Sequence, residues 1–205
     1  ALETSIRQLT YEFQGDNAFN FSHEMELAAY LMLGVRQKYT YTEYYRDHPI
    51  YLARLEWPCL LGKRFDLVLW KPGFEKKARS LWGTPKGRVA KQIPLLAAVQ
   101  IKRGGGEVTP WPKTKYDLEL LQGIHQNEDL GKPILYFLEW VDASIRRKET
   151  ARRVYRDIKP QLINWCNESP EFRRVCVISR DRVGFVHPVE AWSVNPLPHG
   201  TLTTV

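Results

Sequence analysis

Cysteine is scarce in this chain. Cys59, Cys166 and Cys176 are the only three, an odd number too scattered for a Cys-x-x-Cys metal knuckle, so the expectation is a reduced, intracellular protein. Among the histidines, His23 and His48 stand isolated, and no His-x-x-x-His pair offers zinc two ligands on one helix face. No apolar run approaches the roughly 18 residues needed to span a bilayer, so no membrane partner is expected. Ala1-Leu2-Glu3-Thr4-Ser5 lacks a basic segment followed by an apolar core, so no secretory signal is expected. No internal repeat is visible, and no separate sequence-reading motif such as a zinc finger or basic zipper. Acids are outnumbered, 23 against 30 Lys and Arg, for a formal net charge of +7. That balance favours an anionic partner, nucleic acid ahead of a membrane surface.

What is present is enough for a packed core. With 205 residues, 43% hydrophobic and 12% aromatic, the chain reads as a single domain with decoration. Two short runs organise it. Arg64-Phe65-Asp66-Leu67-Val68-Leu69 and Leu96-Ala97-Ala98-Val99-Gln100-Ile101-Lys102 are both rich in β-branched or bulky residues and read as buried strands. Alternation puts Gln100 and Lys102 on one face, Val99 and Ile101 on the other, and turns Asp66 away from Phe65 and Leu67. If the strands pair, an acid, an amide and an ammonium converge. Burying such groups costs about 2–7 kcal/mol each unless they are paired or bind a metal, which marks the patch as a candidate site.

The Asp66…Gln100-x-Lys102 arrangement resembles the signature of the PD-(D/E)xK nuclease superfamily, in a branch with Gln in the last motif. The resemblance covers roughly residues 20–142 as an order of elements: helix, three strands, helix, strand. It implies an α/β (mixed-sheet) fold with a restriction-endonuclease-like αβββαβ core, carrying a basic insertion over 71–91 and a C-terminal helix and hairpin over 143–205. It also implies a metal-linked Glu at the start of the first core helix. Glu24-Met25-Glu26-Leu27 looks like that context, with Glu24 in the functional slot and Glu26 as the fallback.

Along the chain, residues 1–20 are mixed in character and offer only a turn at Gly15-Asp16-Asn17. Ser22 stands as N-cap to an apolar helix carrying Leu27, Leu31 and Val35, alongside Met25, Ala28 and Met32. In its first turn Glu24 and Glu26 also suit the helix dipole, the plain structural account of both. Five tyrosines between Tyr39 and Tyr51 suit either base stacking or closure of a core edge, the latter favoured. Leu55 to Leu60 reads as a strand kept near an edge by Pro58. A helix from Thr114 presents Leu118, Leu121 and Ile124 inward, and Ile134 to Leu138 is an interior strand. Residues 144–166 read as a helix kinked or split at Pro160. Val175–Ile178 and Val183–Val186 read as a hairpin turning at Arg180-Asp181-Arg182.

Phosphodiester hydrolysis needs an in-line water, a route for its proton and stabilisation of charge on phosphate oxygens. The resemblance assigns Lys102, Asp66, Glu24 and Gln100 to catalysis, with Asp66, Gln100, the Ile101 carbonyl and Glu24 as ligands of Mg²⁺, or Mn²⁺ in its place. Lys102 would orient or help deprotonate water, or stabilise the charged transition state. Gln100 is the departure: a neutral amide weakens the site's pull on a cation and leaves open an inactive centre. Glu119 and Asp117 on the following helix stand as alternative donors. Lys71, Lys76, Lys77, Arg79, Lys86, Arg88, Arg103 and Lys115 are the expected phosphate contacts. DNA is the expected partner, with a protein partner or homodimer left open. Three function classes follow: a DNA endonuclease of restriction, repair or recombination type; a catalytically degenerate nucleic-acid-binding module on the same fold; and an interaction protein whose charge is incidental.

Overall fold

Leu2, Ile6 and Leu9 recur at helical spacing, and in the computed structural model they form the buried side of helix α1 (Leu2–Gln14). The structure describes residues 1–14, 23–38, 44–45, 48–49, 51–58, 64–74, 93–104, 109–127, 130–143, 148–181 and 191–193. Helix α1 corrects the sequence reading, which found only mixed character before residue 20. Tyr136 donates to Glu3 Oε1 at 3.0 Å, tying α1 to the sheet.

Helix α2 (Glu24–Lys38) buries Leu27, Ala28, Leu31 and Val35. Its apolar character is broader than its buried face, and Met25 and Leu33 are exposed. Gly34 lets α1 approach closely. A β-carbon there would lie 2.7 Å from Ser5 Oγ and 3.1 Å from Ser5 Cβ, and the buried Ser5 hydroxyl already donates to the Ala1 carbonyl at 3.1 Å. Alanine is the better helix former by about 1 kcal/mol, but forcing a methyl into a packed contact costs about 1–3 kcal/mol. Gly34→Ala should therefore lower stability, read as an earlier urea midpoint with unchanged slope. An unchanged or later midpoint would mean that the two helices separate freely.

Two short strands, β1 (Tyr44–Tyr45) and β2 (His48–Pro49), pair antiparallel by themselves. The main sheet contains β3 (Ala53–Pro58), β4 (Arg64–Trp70), β5 (Leu95–Gly104), β6 (Ile134–Ala143), β7 (Arg173–Asp181) and β8 (Ala191–Ser193), ordered in space as in sequence. Strands β3 to β5 form an antiparallel meander, β5, β6 and β7 run parallel, and β8 returns antiparallel to β7. Helix α3 (Trp111–His125) lies between β5 and β6 in the chain, and α4 (Lys148–Asn167) between β6 and β7. Parallel neighbours need such crossovers. The fold is mixed α/β, as expected.

The sheet is covered on both faces. Leu67, Leu69, Ala97, Val99, Ile101, Leu138 and Trp140 pack with α1 and α2. Val68, Ala98, Leu135, Phe137 and Val175 pack with α3 and α4. Cys166 and Cys176 belong to opposite cores, free and buried, and burial pushes their thiols up to about 11 and about 12.

Three boundaries differ from the sequence reading. Helix α3 begins at Trp111, three residues early, because Pro112 in the first turn lacks an N–H that the helix would leave unpaired anyway. Helix α4 runs through Pro160 without a break, and Pro160 sits on the exposed side, where water can take up the released carbonyl. Strand β7 continues through Arg180 and Asp181, which pair with Asp142 and Ala143 of β6. The expected turn at those residues is therefore absent, and β7's antiparallel partner is Ala191–Ser193. Val183–Val186, Ser22 and the turn at Gly15-Asp16-Asn17 lie outside the described residues. Among the described residues no helix is long and apolar enough to cross a membrane.

Candidate active site

Strands β4 and β5 pair through Leu67↔Val99. That is the last pair of the ladder at this end, and Asp66, the next residue of β4, reaches β5 through its side chain. Strict alternation fails here. The β3–β4 ladder passes from Leu55↔Leu67 to Trp57↔Phe65 without a Glu56–Asp66 pair, and Glu56 has φ 49°, left-handed for a residue with a side chain. Leu67 packs beneath α2, whereas Phe65 packs in the α3/α4 core. Asp66 sits at this break, half-buried. Its Oδ2 accepts the Ile101 N–H at 2.6 Å.

Helix α2 brings the second carboxylate. The two glutamates of its first turn do different things. Glu26 accepts the N–H of His23 at 2.8 Å, the reciprocal capping contact of a helix start. Glu24 turns to the sheet, where Oε1 accepts the Arg103 N–H at 3.3 Å and lies 3.9 Å from Lys102 Nζ. His23, Glu24, Met25, Glu56, Asp66 and Arg103 line an open cleft of ≈ 440 Å³.

Lys102 and Gln100 are not among the residues that line this cleft, and Lys102 stands between Glu24 and α3. Its Nζ lies 3.4 Å from Asp117 Oδ2 on α3, with side-chain exposures of 21% and 9%. Across the β5–β6 register Lys102 faces Glu139, which is fully buried. Glu139 Oε1 accepts the Thr109 N–H at 2.6 Å. Its Oε2 and Oε1 of the buried Gln100 have no hydrogen-bond partner among the described residues.

Carboxylates thus crowd Lys102, and their proton affinities shift accordingly. Burial, reinforced by Glu24 and Glu56, pushes Asp66 up to about 7 against the opposing pull of the Ile101 N–H and Lys102. Glu139 is likewise pushed up to about 7, by burial first, against its Thr109 bonds and Lys102. Burial also raises Asp117, although Lys102 opposes the shift. Burial alone would depress the Lys102 ammonium, but Asp117, Glu24 and Asp66 together carry it above the ordinary value.

Oxygen donors of these kinds, carboxylate, amide and carbonyl, suit a hard divalent cation. The unpartnered Gln100 oxygen is a donor without an internal use. Among the described residues no three or more His, Cys, Asp or Glu are gathered so as to hold a metal ion.

The expected phosphate contacts divide. Arg103 lines the cleft. Lys71 is engaged elsewhere, its ammonium donating to the Gly131 carbonyl at 3.0 Å. Lys115 is exposed and 3.7 Å from Glu119 one turn on, which accounts for Glu119 without any site role. Lys76, Lys77, Arg79, Lys86 and Arg88 lie outside the described residues. Of the tyrosines, Tyr51 is exposed, with the Arg36 guanidinium 4.3 Å above its ring.

Sequence reasoning missed Glu139. Its signal was an acid two residues beyond Phe137 on one strand face, inside the apolar run from Ile134 to Trp140.

No protein-family model matches this chain, and no curated protein or solved structure matches it.

Proposed function

We propose that this chain is a metal-dependent phosphodiester hydrolase acting on DNA, an endonuclease of restriction, repair or recombination type. The observation that carries this reading is the reach of Glu24 from the start of α2 to both the Arg103 N–H and the Lys102 ammonium, beside Asp66. The order α2-β3-β4-β5-α3-β6, with β6 parallel to β5, supports it as the element order of a restriction-endonuclease-like core. The net charge of +7 suits a polyanionic substrate.

Asp66 and Glu24, with the Gln100 amide oxygen and the Ile101 carbonyl, are the residues that would hold Mg²⁺ or Mn²⁺. Such an ion supplies Lewis-acid stabilisation of phosphate oxygens and eases deprotonation of water. Lys102, with its pKa raised by Asp117, Glu24 and Asp66, stays protonated at neutral pH. Its role in this reading is to stabilise negative charge on the phosphate and orient the nucleophile. Arg103 at the cleft wall adds a second cation for the substrate backbone.

A second reading, a nuclease-fold module that binds nucleic acid without cleaving it, is favoured by two features. Gln100 supplies no charge, and the Lys102 ammonium is already bound by Asp117. Plasmid, linear, branched and single-stranded DNA incubated with Mg²⁺ or Mn²⁺ separate the two. Metal-dependent cleavage supports the hydrolase; salt-dependent binding without cleavage replaces it with the binding module.

The 71–91 segment is the proposed phosphate-contacting arm. Neutralising Lys76, Lys77 and Arg79 together should weaken binding across all sequences and reduce the salt slope by about three. An unchanged slope of affinity against salt would show that these residues are simply solvated.

A further inference from the structure

Lys102 is a long, flexible side chain assigned to act on one phosphate, so something must hold its ammonium in place. Glu24 is 3.9 Å away and 42% exposed at its side chain, a poor anchor. Asp117 is 3.4 Å away and 9% exposed, a much better one. What fixes Asp117 is the start of its helix. Thr114, fully buried in the second turn, donates through Oγ1 to the Thr109 carbonyl at 3.0 Å. The Thr109 N–H in turn donates to the fully buried Glu139 carboxylate at 2.6 Å. Pro110, between them, is the N-cap with extended backbone, φ −61° and ψ 149°, and makes no side-chain cap hydrogen bond. The entry to α3 is thus pinned by Glu139, on the strand beside Lys102.

We infer that Asp117 is a positioning residue for Lys102, and that Glu139 aligns Asp117 through Thr109 and Thr114. This rests on the hydrolase reading, in which Lys102 faces the reacting phosphate. The chain of contacts closes a loop: Lys102 on β5, Asp117 on α3, Thr114 and Thr109 at the helix entry, Glu139 on β6, and back across the register to Lys102. No member of this loop lines the cleft, and Thr114, Asp117 and Glu139 are buried, so none of those three needs to touch substrate to matter. A buried carboxylate that keeps a functional side chain oriented is the role outer-shell groups play elsewhere, where their loss costs roughly 10–100-fold in activity.

The test is Asp117→Asn, which keeps shape and removes charge. Two readouts are needed. The first is independent of cleavage: an immobilised Lys ammonium gives a ¹H–¹⁵N correlation, and that of Lys102, assigned by its absence in Lys102→Ala, should be present in the wild type and lost in Asp117→Asn. The second is kinetic. With Mg²⁺ and plasmid DNA, kcat should fall about 10–100-fold with KM little changed. On a Lys102→Ala background the same substitution should cost nothing further, since residues acting as one unit are non-additive. Thr114→Val, which removes the hydroxyl at nearly constant shape, should weaken the Lys102 signal in the same direction. Persistence of the Lys102 signal in Asp117→Asn overturns the inference. So does a parallel loss of Mn²⁺ affinity, which would make Asp117 a ligand, or a full kinetic loss on the Lys102→Ala background. Absence of cleavage by the wild type, with the signal still lost in Asp117→Asn, retires the hydrolase reading while the holding of Lys102 stands.

Discussion

Lys102→Ala should leave divalent-metal binding intact while turnover on DNA falls by roughly 10²–10⁴, and Asp66→Ala should abolish both together. The difference follows from charge. Asp66 carries the carboxyl that accepts the Ile101 N–H, and removing it takes away the principal carboxylate of the proposed ligand set. Lys102 is a cation bound by Asp117 and near Glu24, and removing it takes nothing from that set. Its departure also frees Glu24 of a competing positive charge, so affinity should rise slightly. Both variants should fold, because neither side chain is part of an apolar core. Gln100→Glu is the companion: a third carboxylate should tighten Mn²⁺ binding, measured by titration calorimetry. Unchanged affinity and unchanged cleavage in all three variants would remove this patch from consideration as a nuclease centre.

Much of the frame was readable because it obeys simple periods. Leu27, Leu31 and Val35 gave α2, and Leu118, Leu121 and Ile124 gave α3. The apolar runs around Asp66 and Gln100 gave β4 and β5, which do pair. Helix α1 was equally periodic at Leu2, Ile6 and Leu9, but its polar majority hid a pattern that only packing on α2 makes meaningful. The site was legible to the extent that it lies on regular elements. Glu24 and Lys102 meet because a helix start and a strand face can be placed by counting. The break at Glu56 and Asp66 could not be counted: it depends on one left-handed backbone residue and on Phe65 finding the opposite core. The choice between Glu24 and Glu26 was likewise beyond spacing, since both sit in the same turn and only the contacts with His23 and Arg103 separate them. Glu139 lay in plain view, but its partner Thr109 sits 30 residues earlier in sequence, across a helix and its connections.

Glu139→Gln should flatten the dependence of stability on pH, in metal-free buffer with chelator. The folded state raises this carboxyl from 4.5 to about 7 because burial disfavours its charge. The sign follows. Below about pH 4.5 both the folded and unfolded chains carry the proton and the group is neutral to stability. Between 4.5 and about 7 the unfolded chain releases the proton while the folded chain keeps it, so stability falls as pH rises. Above about 7 the loss is complete, on the order of 3 kcal/mol at about 1.4 kcal/mol per pH unit. Gln does not titrate, yet its amide oxygen can still accept the Thr109 N–H. The variant's stability relative to wild type should therefore improve by roughly 2–3 kcal/mol between pH 5 and pH 8, read from urea midpoints across that range. Asp66, raised to a similar value, titrates in both proteins and cancels in the comparison. Parallel stability curves for the two proteins would mean that Glu139 is ionised in the folded state throughout, its charge held by the Lys102 ammonium beside it. An ionised Glu139 would then share Lys102 with Asp117, and the ammonium would be held from β6 as well as from α3.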